Sequence, residues 1–98
     1  MKLTSSQKRY LRSQAHHLKP VLQSGSKGVS DAFIAEVGVA LDQHELIKVK
    51  IAAGDRGERG AMIDQLAAAT GAAVVQTIGH IVVLFRRNPD GPRIALPS

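Results

Sequence analysis

Pro20-Val21-Leu22-Gln23-Ser24-Gly25-Ser26-Lys27-Gly28-Val29-Ser30-Asp31 reads as a strand, a turn and the start of a helix. Residues 20–24 make a short buried strand, and Ser30 is placed to cap a helix with Asp31 in its first turn. Glycine at both ends of the four-residue turn removes two Cβ atoms, so another backbone can approach closely. At the start of the following helix, free N–H groups and the positive end of the dipole favour an anion, and Lys27 adds a full charge. The turn has two readings, a plain strand-to-helix connection or a cradle for phosphate, and its surroundings must decide between them.

Downstream, Phe33, Val37, Ala40 and Leu41 recur at helical spacing, with Gly38 placed for close packing against a neighbour. Leu46-Ile47-Lys48-Val49-Lys50-Ile51 alternates apolar and basic as a half-exposed strand does, with Lys48 and Lys50 on its outer side. Asp55-Arg56-Gly57-Glu58-Arg59-Gly60 repeats the glycine spacing. Two acids offset its two arginines, so it reads as a mobile approach to a helix over residues 61–70 that Gly71 ends. Residues 72–78 and 80–87 form a hairpin through Gly79. Its second strand is apolar on both sides, Ile81, Val83 and Phe85 against Val82 and Leu84, which marks it as central, and Arg86 at its end can reach an anion.

Upstream, residues 7–18 form a helix capped by Ser5 or Ser6 and stopped before Pro20, with Leu11, Ala15 and Leu18 facing inward. Lys8, Arg12, His16 and Lys19 make a basic stripe on a neighbouring face, bordered by Arg9. The stripe is either a solvated flank or a docking face, and the absence of any acid to neutralise it favours docking. From Asn88 on, three prolines and Gly91 forbid regular structure and predict a loose tail over 88–98 behind a single domain over 1–87. The order α-β-α-β-α-β-β predicts a two-layer α/β sandwich with a mixed four-stranded sheet.

Ninety-eight residues with 44% apolar content can build one aliphatic core, and zero cysteines exclude disulfides and thiolate-ligated metals. Thirteen Lys and Arg against eight Asp and Glu leave a formal charge of +5, which points to polyanionic partners. The first 30 residues carry six cations and no acid. With only Tyr10, Phe33 and Phe85 as aromatics, a sheet that stacks successive bases is not expected. No apolar leader or membrane span is visible, so a cytoplasmic protein is expected.

An enzyme is not expected. The turn lacks the longer loop and terminal hydroxyl of G-x-x-x-x-G-K-[ST], the adjacent His16 and His17 diverge on a helix, and His44-Glu45 lacks the second histidine of H-E-x-x-H. No cofactor or metal site is expected.

Leu3-Thr4 with Gln7-Lys8-Arg9-Tyr10-Leu11-Arg12, then Leu18-Lys19-Pro20-Val21, the turn Gly25-Ser26-Lys27-Gly28-Val29-Ser30, Glu45-Leu46-Ile47-Lys48-Val49-Lys50 and the closing Ile78-Gly79-His80-Ile81-Val82-Val83-Leu84-Phe85-Arg86 resemble, in order and spacing, the CRM family (chloroplast RNA splicing and ribosome maturation), in particular its bacterial single-domain YhbY-like members. The resemblance implies an RNA-binding domain with a fold similar to the C-terminal domain of translation initiation factor three and a KH-like G-x-x-G loop. It also implies a role on precursor large ribosomal subunits; the expected partner is 23S ribosomal RNA of the pre-50S particle, and the protein is expected to be a monomer. Carried over, Gly25, Ser26, Lys27 and Gly28 become the backbone-gripping loop; the expected RNA-binding set adds Lys8, Arg9, Arg12, His16, Lys19 and Arg86. Family turns often carry two polar or basic middle residues after an apolar one, whereas here Ser24 precedes the turn and Ser26 takes the first middle place, so part of the loop's charge is missing and the helix stripe is left to supply it. The competing expectation is a protein–protein assembly module that docks through its sheet.

Overall fold

The computed structural model describes residues 2–25, 28–52 and 54–97; Ser26 and Lys27 of the turn lie outside them. The sheet is built around β4 (Ile81–Phe85), the five-residue apolar run Ile-Val-Val-Leu-Phe. Strand order is β1-β2-β4-β3, with β1 (Pro20–Gln23) parallel to β2 (Leu46–Lys50), and β4 antiparallel to both β2 and β3 (Ala73–Ile78). Val82, Val83, Leu84 and Phe85 are fully buried. At about 1.5–3 kcal/mol per buried side chain they outweigh any surface ion pair, and so hold β4 at the centre. Gly79 takes a φ of 56°, which the two-residue β3–β4 turn requires at its first position.

The mixed four-stranded sheet and the α-β-α-β-α-β-β order are those expected. The expected two layers become three, because helices lie on both faces of the one sheet. Ile47, Val49, Val82 and Leu84 face α2 (Asp31–His44) and α3 (Arg56–Thr70), where Phe33, Val37, Leu41, Ile63 and Leu66 cover them. Leu46, Val75, Val83 and Phe85 face the other way, against Leu11 and Ala15 of α1 (Ser5–Ala15) and against Ile94 and Leu96 of the tail. Helices therefore cover both faces, because the sheet's central strands are apolar on both.

Several local expectations are corrected. Thr4 caps α1, not Ser5 or Ser6, because only Thr4 places Gln7 at the third helical position for a reciprocal capping box. The helix ends at Ala15, not Leu18, since the chain must turn to reach the sheet edge at Pro20; Leu18 is left 38% exposed. Strand β1, expected buried, is an edge strand with one neighbour, and Val21 is 48% exposed. Helix α3 starts at Arg56 rather than Ala61: the Asp55 carboxylate accepts from Glu58 N at 2.8 Å, so Gly57 and Gly60 lie inside the helix instead of in a loop. A Cβ on Gly38 would meet nothing within 4 Å, so that glycine does not serve close packing.

The segment after β4 packs back on the domain. Glu45, fully buried at φ 62°, accepts from Asn88 N, Arg93 N and Ile94 N at 2.7, 2.6 and 2.8 Å, and Gln7 Nε2 donates to Pro97 O at 3.1 Å. Prolines and Gly91 bar a helix or strand there, but the backbone donors they leave unpaired find a carboxylate.

Candidate nucleic-acid interface

Charge is partitioned by element. Neither α1 nor any of the four strands contains Asp or Glu. The acids lie in α2 (Asp31, Glu36, Asp42), in α3 and its cap (Asp55, Glu58, Asp64), at the buried Glu45 and at Asp90. On α1, Lys8, Arg9, Arg12 and, just beyond its end, His16 are exposed, since the helix turns Leu11 and Ala15 inward and leaves the next positions on its flank. Among the described residues none of them makes an ion pair.

The strand register puts two further cations on the same side. Lys48 pairs with Val83 and Lys50 with Ile81, and in β3 Gln76 and Ile78 continue those rows. Leu46 and Val83, two residues along from Lys48 and directly opposite it, pack under α1, so Lys48 and Lys50 point out of the α1 face. Arg12 and His16 border a shallow groove with Gln76 and the 54% exposed Ile78, and Lys19 borders a second one with Lys48. The alternating strand pattern identified Lys48 and Lys50 as outward-facing; only the register joined them to the helix stripe.

The glycine turn sits at the end of β1 beside the end of β2. Buried Ser24 stitches the two: its N–H donates to Lys50 O at 2.9 Å and its Oγ accepts from Ala52 N at 2.8 Å. Gly28 N donates to Gly25 O at 3.0 Å, closing the turn. The two glycines have different reasons. Gly28 takes a φ of 68°, and a Cβ there would lie 3.3 Å from Met62 Cε on α3; at Gly25 a Cβ would meet nothing within 4 Å. Thus the fold demands glycine at 28 and does not demand it at 25. The turn leans on α3, across the sheet from α1, and its nearest cation in the β-register is Lys50, paired with Gln23. At the α2 N-terminus Ser30 Oγ already accepts from Phe33 N at 3.1 Å.

Arg86 departs from the expected anion-binding role. Its guanidinium donates to Thr70 O at 2.7 Å and Gly38 O at 2.9 Å and is paired with Asp42. It ties β4 to the middle of α2 and the end of α3, on the face opposite α1. The surroundings of Glu45 shift its titration. Burial disfavours its charged form, yet the backbone N–H groups of Asn88, Arg93 and Ile94 and the Arg87 charge outweigh burial and hold the carboxyl below the usual carboxylate range. No group of three or more His, Asp or Glu side chains among the described residues could hold a metal.

Fold and site together define a small mixed α/β domain whose first helix and four strands carry cations and no acid. The sequence profile of the CRS1 / YhbY (CRM) domain matches residues 3–86. An RNA-binding protein of Haemophilus influenzae is 45% identical over 95 residues, covering 97% of this chain and 95% of its own. The "Probable RNA-binding protein YqeI" of Bacillus subtilis is 39% identical over 95 residues, covering 97% and 99%. The solution structure of the hypothetical protein SAV1595 from Staphylococcus aureus, described as a candidate RNA-binding protein, superimposes with a TM-score of 0.84 at 35% identity, covering 98% of this chain and all of that one. The chain belongs to the CRS1/YhbY (CRM) domain family.

Proposed function

We propose that this protein binds RNA, without catalysing a reaction on it, through the α1 face of its sheet and the glycine turn at the end of β1, and that its target is 23S ribosomal RNA in precursor large ribosomal subunits, whose assembly it assists. The observation that carries this reading is the placement of Lys8, Arg9, Arg12, Lys48 and Lys50 on elements that contain no acid at all, with Lys19 in the short connection between α1 and β1. The names of the relatives support the RNA partner. Phe33 and Phe85 are buried and Tyr10 packs into the cluster beneath α1, so no row of aromatic rings is offered to bases. Affinity then comes chiefly from phosphates, with Gly25 leaving a bare backbone where a ribose-phosphate chain can approach.

Fluorescence anisotropy with ribosomal RNA fragments across a salt series tests the first part. With about four phosphates neutralised, affinity for single-stranded RNA falls by roughly three decades per tenfold rise in salt, at ~0.7 per contact. A flat response removes the proposal. Co-sedimentation with precursor large subunits, and its absence from mature ones, tests the second part.

A second reading, a protein-docking module, is favoured by one observation: Leu18, Val21 and Val39, exposed by 38, 48 and 55%, cluster about the free edge of β1. Pull-down of purified ribosomal proteins in the absence of RNA separates the two.

A further inference from the structure

The groove between the end of α1, the β1 edge and β2 has features that a merely phosphate-binding face does not need. It encloses about 510 Å³, within the roughly 300–1,000 Å³ typical of small-molecule clefts. Leu18 and Val21, two of the large apolar side chains that folding leaves uncovered, line it together with Leu46. Lys19 and Lys48 stand on its rim, held together because Pro20 pairs with Lys48 in the sheet register. His17 and His44 add imidazole edges able to donate or accept, and none of the lining residues is acidic.

We infer that this groove takes one unpaired nucleobase of the bound RNA, its ring lying against Leu18 and Val21 and its flanking phosphates meeting Lys19 and Lys48. The inference rests on the RNA-binding reading above and deepens it. A flat apolar ring bracketed by two anions is the complement of an apolar slot bracketed by two cations. In a duplex that ring is stacked away, so the groove makes the protein prefer single-stranded or bulged segments. An apolar peptide would fill the slot but leave the rim cations unanswered. An acidic peptide is therefore the competing occupant.

Two small probes isolate the base. Adenosine 5′-monophosphate and ribose 5-phosphate carry the same sugar and phosphate, and only the first has a ring to insert. In amide-detected NMR titrations of the full chain, the nucleotide is expected to shift Leu18, Lys19, Val21 and Lys48, with ribose 5-phosphate at least about tenfold weaker. Leu18→Ser is expected to weaken the nucleotide about tenfold, the loss of one apolar wall, while a fully paired RNA duplex binds the variant as it binds the parent protein. Circular dichroism of Leu18→Ser, and Val21→Ser as a second variant, confirm folding. Equal responses to the two probes, a silent groove, or a groove shifted by an acidic peptide and not by the nucleotide would each overturn the inference. Those outcomes leave salt-dependent duplex binding intact, whereas loss of all salt-dependent RNA binding removes the broader reading instead.

Discussion

Replacing Glu45 tests the physics of the fold most sharply. Its carboxylate accepts three backbone N–H groups at 2.6–2.8 Å, all from the segment after β4. Glu45→Ala leaves three donors facing a void and removes a negative charge that the Arg87 charge stabilises. Each charge-assisted bond contributes about 1.5–3 kcal/mol, but the three share one group and do not add, so about 3–5 kcal/mol is the expected loss. Set against a total of about 5–15 kcal/mol, that is a large fraction, worth about 12 °C or more in Tm. Glu45 also sits at φ 62°, where a side chain costs about 1–2 kcal/mol. Glu45→Gly, which loses the same carboxylate but relieves the backbone, should therefore be the more stable of the two variants by about 1 kcal/mol, the reverse of the order inside a helix.

Urea unfolding followed by circular dichroism measures both, and hydrogen exchange at Arg93 and Ile94 reports whether the tail is released. The pH dependence has a definite sign. Because the folded carboxyl lies below the usual range, its contribution is present in full above that range and is lost as pH falls through the folded value. The gap between the parent protein and Glu45→Gln should then close on acidification. A Glu45→Ala variant within about 1 kcal/mol of the parent, with its tail amides still protected, would refute the reasoning.

The other expectations concern the interface. Arg12→Ala and Lys48→Ala should each lower RNA affinity and reduce the salt slope by about 0.7, with unfolding midpoints unchanged; anisotropy at several salt concentrations reads both. Gly25→Asp should fold normally, since nothing lies within 4 Å of its new Cβ, and yet bind RNA poorly; undiminished affinity would take the turn out of the interface. Gly28→Asp should be worse than Lys27→Ala in binding but also less stable, from its φ of 68° and the Met62 contact, and circular dichroism separates the two effects. Arg86→Ala should cost about 1–3 kcal/mol of stability by stranding the Thr70 carbonyl at the end of α3 and cutting the ties to Gly38 and Asp42, and leave the salt slope untouched.

Local chemistry made much of this protein readable before folding. The two-sided apolarity of residues 81–85 placed β4 at the centre, Gly79 located the hairpin, Ser30 the start of α2 and Gly71 the end of α3. The excess of Lys and Arg, and its concentration in the first 30 residues, is likewise a property of composition. What the chain order could not supply is which side of the sheet each helix covers, because helical periodicity marks an apolar stripe without naming its partner. Only the register joined Lys48 and Lys50 to the cations of α1, and only the approach of α2 and α3 to β4 turned Arg86 from an exposed strand-end arginine into an interior tie. Glu45 and the tail make the same point: three donors from residues 88, 93 and 94 converge on one carboxylate more than 40 positions upstream, a condition that the closed structure alone can meet.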